Sequence, residues 1–204
     1  PTGSGCFGDT VFALSTGNIV IADPCFDLPG IGDVGAVYLY DGETREQLTR
    51  LHGTTAGDAV GTAVVPLTNG NLVVASPLWG SADVGAVTWV NGETGLDGPV
   101  APSNSLTGTT ASDHVGSRRS GLTVTPRTPS VTPLVNGNYV VASPDWDNGS
   151  IVDAGAITWG DGDTGVAGQV STANSLYGSL TFLFAGVDDS RIGSGGVTAL
   201  TNGN

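Results

Sequence analysis

One phrase of the sequence recurs: residues 67–77 read LTNGNLVVASP, residues 134–144 read LVNGNYVVASP, and residues 200–204 read LTNGN. Asn-Gly flanked by apolar residues is the strongest short signal for a β-hairpin, because both central residues of the favoured turn adopt positive φ. The apolar run VVAS is typical of a strand covered on both faces, and the following proline cannot donate to a sheet. The phrase therefore predicts a tight turn that leads into a buried strand.

Other features recur in a fixed order after this phrase, which has a divergent first copy, GNIVIADP, at residues 17–24. A stretch of the type DVGAV predicts a strand in which Gly-Ala permits close approach of another backbone. A turn of the type NGET then follows. The DVGAV-type stretches and the turns start at Asp33, Asp83, Asp153, Asp41, Asn91 and Asp161.

The spacing of these features predicts an all-β fold. Four short strands in each unit of roughly 50 residues is the spacing of a propeller blade. We predict a β-propeller-like array of four-stranded antiparallel blades, with three full repeats plus one extra strand and with insertions at 117–131 and 180–189. The predicted boundaries are 1–59 for blade 1, 60–114 for blade 2, 115–191 for blade 3, and 192–204 for the first strand of a fourth repeat.

The order of the motifs resembles a known repeat. FG-x-x-V at residues 7–11, then NGN, VVASP, GAV and a closing L-x-G, resembles the FG-GAP repeat of integrin-type β-propellers. The chain is more closely similar to uncharacterised NGN…VVASP repeats of large secreted bacterial adhesin-like proteins. FG-GAP blades often carry a calcium loop of the form Asp-x-Asp-x-Asp-Gly, whereas the equivalent turns here read TGN or NGN. The resemblance thus implies a propeller and an adhesive role, without calcium at those turns.

Charge and composition exclude several classes of protein. The net charge is −13, from 19 acidic and six basic residues, and Lys is absent. Such an acidic surface repels phosphate backbones, so we expect no nucleic-acid partner. The absence of Lys excludes Schiff-base chemistry and a P-loop lysine. No apolar run approaches the roughly 18 residues of a membrane span, so none is predicted.

The two cysteines bear on the compartment. Cys6 and Cys25 lie on either side of the predicted turn at 15–18, nearly opposite each other in a hairpin, so a disulfide is geometrically reasonable. Two buried free thiols are the alternative. A disulfide implies an oxidising compartment, and a chain that begins at Pro1 without any Met is expected to have lost a leader or an upstream region. We therefore expect an extracellular or cell-surface protein.

Acidic residues are the candidate metal ligands. Aspartates that precede Gly-Ala offer carboxylate oxygens to calcium, or else they accept backbone N–H bonds in the loop that enters the strand. Two dense acidic clusters are further candidates, and apart from calcium the sequence predicts no cofactor. The candidates are Asp33, Asp83, Asp153, Asp145, Asp147, Asp161 and Asp163.

The chain stops inside the repeated phrase. The strand predicted at 195–204 has unpaired N–H and C=O groups, which proteins cover or exploit. Either further repeats complete the ring, or the strand completes a blade in a neighbouring copy and a head-to-tail filament forms. The tryptophans after Ser-Pro either stack on sugars or fill the gap between blades. The ligand or interface candidates are Trp79, Trp146, Phe182, Phe184, Val197 and Leu200.

No reactive constellation is present in the sequence. His52 and His114 lie in no zinc or triad-like spacing, and no serine lies in G-x-S-x-G. We therefore predict a secreted, non-enzymatic structural or adhesive repeat protein whose partners are further repeats or further copies of the chain. The alternative is a module that binds cell-surface glycans or proteins through inter-blade loops, with or without calcium.

Overall fold

The computed structural model describes residues 1–119, 127–179 and 191–201. These residues form short strands and no helix, so the predicted all-β class is confirmed. No helix with the length and apolarity of a membrane span is found in this part of the chain. The candidates Phe182 and Phe184 lie outside the described residues.

The strands in chain order are β1 (Thr10–Ala13), β2 (Ile19–Asp23), β3 (Ala36–Tyr40), β4 (Gln47–His52), β5 (Ala63–Pro66), β6 (Leu72–Ser76), β7 (Ala86–Val90), β8 (Gly98–Pro99), β9 (Ser105–Thr107), β10 (Ser117–Arg119), β11 (Arg127–Pro129), β12 (Val131–Pro133), β13 (Tyr139–Ser143), β14 (Ala156–Gly160), β15 (Gly168–Gln169) and β16 (Ser175–Tyr177).

Three main sheets form, one in each predicted repeat. Sheet 1 contains β1-β2-β3-β4, sheet 2 contains β5-β6-β7-β9, and sheet 3 contains β12-β13-β14-β16, with antiparallel neighbours throughout. The strands β10 and β11 form a separate hairpin within the insertion predicted at 117–131. Each repeat thus holds the four antiparallel strands that its sequence predicts, and within the described ranges no sheet closes into a barrel or propeller.

The repeated phrase forms a turn and a strand as expected, but only the glycine of each Asn-Gly pair, Gly70 or Gly137, has positive φ (90° and 91°), so the expectation that both central residues adopt positive φ is wrong. The turns at 67–71 and 134–138 are closed by a bond from the leucine N–H to the asparagine carbonyl, 2.8 Å in both cases. The strand β6 follows the first turn and is buried at all five residues. Pro77 and Pro144 come directly after β6 and β13. The strand predicted as covered on both faces is therefore confirmed.

The glycine of the DVGAV-type stretch lets the next unit approach. Gly35 and Gly85 have φ of 71° and 77°, and a Cβ on them would lie 2.2 and 2.3 Å from the backbone nitrogens of Val60 and Val115. Any side chain at these positions would displace the connection to the following repeat. The close backbone approach predicted for Gly-Ala is therefore confirmed.

The three sheets stack face to face, because successive residues of a strand point to opposite faces. Val20 of sheet 1 and Leu72 of sheet 2 belong to one buried cluster between those sheets. Val73, the next residue along β6, belongs to a second cluster together with Tyr139 of sheet 3. Sheet 2 is therefore buried on both faces.

The first residues of the chain cover the outer face of sheet 1. Phe7 packs edge to face on the fully buried Tyr38, with ring centroids 5.3 Å apart. The disulfide between Cys6 and Cys25, with Cα atoms 5.3 Å apart, joins this segment to the loop after β2. The predicted pairing of the two cysteines is confirmed, and the outer face of sheet 1 is capped.

Two short strands connect neighbouring sheets, and sequence reasoning missed them. The strand β8 pairs in parallel with β4 of sheet 1, and β15 pairs in parallel with β9 of sheet 2. We call residues 95–104 and 165–174 the arms of repeats 2 and 3, because each lies on the edge of the preceding sheet. Repeat 1 has no arm, since only Arg45 and Glu46 separate its turn at 41–44 from β4.

Replacing both cysteines by serine is expected to lower the free energy of unfolding by about 3 kcal/mol, because the bridge closes a loop with a sequence separation of 19. Urea denaturation followed by tryptophan fluorescence measures the change. Reductant should destabilise the native chain by a similar amount and leave the double variant unaffected. Equal stability of the oxidised native chain and the double variant would contradict the expectation.

Candidate functional site at the contacts between repeats

A ladder of asparagine side chains and glycine peptides crosses all three repeats. Asn18 Nδ2 donates to Gly92 O (2.9 Å), and Gly92 N donates to Asn71 Oδ1 (2.9 Å). Asn71 Nδ2 donates to Gly162 O (2.8 Å), and Gly162 N donates to Asn138 Oδ1 (2.9 Å). Asn71 therefore bonds the NGET-type turn of its own repeat through its oxygen and that of the next repeat through its nitrogen. We call this set the asparagine–glycine ladder.

Gly162 is the most heavily used acceptor of the ladder. Asn69 Nδ2 and Trp89 Nε1 also donate to its carbonyl, at 2.8 and 2.9 Å. A Cβ on Gly162 would lie 1.9 Å from Gly137 O, so the turn needs glycine for this close approach. A tight turn requires only Asn-Gly. The second asparagine of NGN is therefore the sequence signal for a contact between repeats, and sequence reasoning read it only as part of a turn.

Buried aspartates hold the other end of each contact. Asp113 Oδ2 accepts from two backbone N–H groups of its own loop (2.7 and 2.8 Å), and Oδ1 accepts from the N–H of Asp147 in the next repeat (3.2 Å). Asp58 makes the equivalent bonds and reaches Gly80 N in the next repeat (2.9 Å). Burial raises the pKa of Asp113, and the three N–H donors oppose this rise. Both carboxylates crosslink consecutive repeats.

Each arm completes the edge of the preceding sheet. Val100 donates its N–H to His52 O (2.9 Å), and Val170 donates its N–H to Thr107 O (3.0 Å). Both valine side chains are buried in the clusters between sheets. Asn104 folds the first arm back by accepting from one backbone N–H and donating to a carbonyl, and the second arm repeats this arrangement. The arms are thus a second kind of contact between repeats.

The aspartates before Gly-Ala have a backbone role. Asp33, Asp83 and Asp153 have φ of 53°, 53° and 50°, a left-handed conformation that Asp tolerates better than most residues. Their carbonyl oxygens accept N–H bonds from the last residue of the same repeat, Ala59, His114 or Arg191, at 3.0 to 3.2 Å. The Asp153 carboxylate also pairs with Arg191 (2.5 Å). These contacts favour the structural interpretation over calcium ligation.

The two dense acidic clusters lie at opposite ends of sheet 3. Asp145 and Asp147 follow β13, whereas Asp161 and Asp163 follow β14, which runs antiparallel to it. Asp145 is buried and pairs with Arg191 Nη1 (3.2 Å). Five residues of strand span about 14 Å, so the two clusters are too far apart to act on one bond or one ion.

The acidic turn at Asp161 is explained by its hydrogen bonds. Asp161 Oδ1 accepts from the backbone N–H groups of Asp163 and Thr164 (2.8 and 3.0 Å), and these bonds lower the pKa of Asp161. Asn91 makes the same two bonds in repeat 2, at 2.9 Å each, so a neutral side chain serves equally. Across the described residues no group of three His, Cys, Asp or Glu side chains is placed to hold a metal ion.

The predicted aromatic contacts lie between sheets. Trp146 is buried in the cluster between sheets 2 and 3, and Trp79 packs against the cluster between sheets 1 and 2. Their positions match the gap-filling alternative and leave little surface for a sugar. Val197 and Leu200 lie in the expected fourth-repeat strand, where residues 195–201 form no strand; Leu200 is exposed.

One face of sheet 3 differs from its equivalents. Leu51, Leu106 and Leu176 occupy the same register position in β4, β9 and β16. The first two pair with Gly98 and Gly168 in the arm of the following repeat and are 1% and 0% exposed, whereas Leu176 is 75% exposed. Trp159, the equivalent of the partly buried Trp89, is 52% exposed. We call this surface the open face; its residues are Val140, Ile157, Trp159 and Leu176.

Comparison with known proteins supports the repeat organisation. A family model described as "Repeat of unknown function (DUF5650)" matches residues 66–117 and 133–182, which together make up half of the chain. The matched ranges start just before the second and third copies of the NGN phrase. This family is not the FG-GAP family that the motif order resembles, so only the coarser prediction of a repeat protein is confirmed. No curated protein matches the chain.

Asn71→Asp is expected to cost about 1–2 kcal/mol of stability, because it removes the donor to Gly162 O and sets a carboxylate oxygen against that carbonyl. Asn138→Asp is the matched control. Asn138 keeps its acceptor role towards Gly162 N, and its Nδ2 has no acceptor among the residues that the structure describes. The control should cost less than about 0.5 kcal/mol. Equal losses in urea denaturation would refute the role of the ladder.

Asp113 allows a graded test of the aspartate crosslink. Asp113→Asn keeps one oxygen for the two local N–H donors and loses the bond to Asp147 N, so we expect a cost of about 1–2 kcal/mol. Asp113→Ala leaves all three N–H groups without this acceptor and should cost about 3 kcal/mol or more. Denaturation curves measure both, and an asparagine variant as unstable as the alanine variant would contradict this division.

Proposed function

Since the chain belongs to the family of repeats of unknown function described as DUF5650, we propose from its contacts that it is a non-enzymatic structural or adhesive protein of the extracellular space. Its repeats are blades of an FG-GAP-like array, and its function is to form a regular, rigid stack of sheets. The Cys6–Cys25 disulfide supports an oxidising compartment. The acidic, Lys-free composition supports solubility outside the cell and disfavours nucleic-acid partners.

The observation that carries this proposal is the use of the polar groups. The carboxylates that catalysis would need instead accept hydrogen bonds from backbone N–H groups. Asp58 and Asp113 join repeats in this way, and Asp161 closes a turn. Asn71 likewise uses both ends of its amide on turns of two repeats. A molecule whose recurrent polar groups serve its own turns and the contacts between repeats is suited to making a scaffold.

The scaffold extends from its third sheet. Sheet 1 is capped by the disulfide-linked N-terminal segment, whereas sheet 3 has the open face. Of the two predicted routes, addition of a further repeat is better supported than filament formation by identical chains. In a second copy the first-strand position of sheet 1 is already filled by β1, and repeat 1 has no arm to offer.

The alternative function, a glycan- or protein-binding module, stays a prediction. Its glycan version relied on Trp79 and Trp146, which pack between sheets. The calcium-assisted version relied on aspartates whose contacts are to backbone and to Arg191. The structural proposal explains these residues directly and is therefore preferred.

Antibodies raised against the purified chain test the location and form of the protein. We expect the antibodies to label the surface of intact, unpermeabilised source cells or material in their culture medium. In negative-stain images the labelled material should be extended. Labelling only after permeabilisation would refute an extracellular role. Light scattering during size-exclusion chromatography tests the filament route, and a monomer at all concentrations would exclude association of identical chains.

A further inference from the structure

We propose that the open face of sheet 3 is a docking site for an arm-bearing repeat of this same family, whose arm pairs in parallel with β16 and covers Leu176. This inference rests on the proposed function, since it names the partner through which the scaffold extends. The same kind of contact occurs twice within the chain, between sheet 1 and the arm of repeat 2 and between sheet 2 and the arm of repeat 3, and these two contacts define the partner.

The faces of the three sheets correspond residue by residue. Leu51 pairs with Gly98 and shares a buried cluster with Val100, and Leu106 pairs with Gly168 and shares a buried cluster with Val170. Their cross-strand partners are Val37 and Val87, and Leu176 has the equivalent partner, Ile157. The exposed apolar surface of sheet 3 is thus the uncovered copy of two interfaces that are covered elsewhere in the chain. The edges of β4 and β9 each pair with the arm of the following repeat, so we expect the equivalent edge of β16 to pair with a third arm.

The chain already begins the connection to that partner. Ile192 N donates to Ala154 O (3.1 Å), as Val60 N donates to Val34 O and Val115 N to Val84 O. The residue that comes next is a glycine with positive φ in each case; Gly193 has φ of 90° and faces Ala142, at the position where Gly116 faces Ala75. Residues 191–193 therefore leave sheet 3 by the same path that leads into repeats 2 and 3.

Trp159 selects the type of repeat that fits. Its equivalent, Trp89, donates Nε1 to Gly162 O (2.9 Å) of the following repeat. A Cβ on Gly165 would lie 2.6 Å from the Trp89 Cβ, so the partner needs glycine at the position equivalent to Gly165. The fitting partner therefore resembles repeat 3, with an NGET-type turn followed by glycine and an arm of the pattern Gly-x-Val. Both arms contain this pattern, as GPV at 98–100 and GQV at 168–170.

A second copy of the chain does not provide this partner. Its two arms already lie on its own sheets 1 and 2, and its repeat 1 has no arm. Docking of an identical copy would therefore require an arm to leave its own sheet. A further repeat in covalent continuity with residues 191–193 needs no such exchange.

The test is a chain in which residues 117–179 are duplicated after Gly193, with one added cysteine as the probe. Leu176→Cys is well suited, because this side chain is exposed and the two native cysteines form a disulfide. The cysteine is placed either at the internal Leu176 or at the Leu176 of the added copy, which is then the last sheet. Labelling by a maleimide under native conditions is timed for both proteins and for the 204-residue chain carrying the same change.

We expect the internal cysteine to react at least about tenfold more slowly than the terminal one, because the added arm covers it. The terminal cysteine should react as fast as in the 204-residue chain. Val170→Asp in the added copy should restore fast labelling at the internal site, and far-UV circular dichroism checks that the added sheet still forms. Equally fast labelling at both sites would overturn the proposal.

The other outcomes also decide. Slow, concentration-dependent labelling of the 204-residue chain would mean that a second copy covers the face, and would overturn the assignment of an arm-bearing repeat. Slow internal labelling that persists with Val170→Asp would show that the sheet face docks without the arm, which contradicts the role of β16. None of these results depends on cellular location. If the docking proposal fails, the proposed extracellular role is still tested separately by antibody labelling.

Discussion

The bond between an asparagine side chain and the glycine peptide of the next repeat is the constraint on which the rest of the molecule depends. A sheet of four short strands with two apolar faces is not stable alone, so each must lie against another at a set offset. Apolar packing between the faces supplies free energy but little directional information. The Asn71 amide fixes that offset, since it must meet two glycine turns at once, while the Asp58 and Asp113 carboxylates fix the opposite end.

Local structure was largely predictable from sequence because its causes are local. Asn-Gly selects a tight turn, a continuous apolar run selects a strand covered on both sides, and a following proline ends it; the turn at 67–71, β6 and Pro77 show all three. The pairing of Cys6 with Cys25 followed from the same hairpin geometry. The four main antiparallel strands of each repeat and the all-β class followed from periodicity alone.

The asparagine contacts between repeats were not predictable in the same way, since their partners are 74 to 93 residues apart and no pattern in either segment identifies the other. The arms were missed because two-residue strands such as Gly98–Pro99 have no periodicity. Aspartates were weighed as metal ligands by residue type, whereas backbone strain at Asp33 and local N–H donors at Asp161 explain them. The exposure of Leu176 depends on the unit that packs next to it in space, and no local pattern in the chain encodes that neighbour.

The arms impose an order on biosynthesis. The outer edge of sheet 1 is completed by Gly98 and Pro99, which lie almost 50 residues beyond its own last strand. At roughly 5–20 residues per second, a ribosome delivers that stretch several seconds after the sheet itself has emerged. During this interval each newly made repeat carries an unfinished edge that the next repeat closes, so maturation proceeds one unit behind translation. The newest repeat is thus the vulnerable one, exposed to chaperones and proteases until its successor arrives.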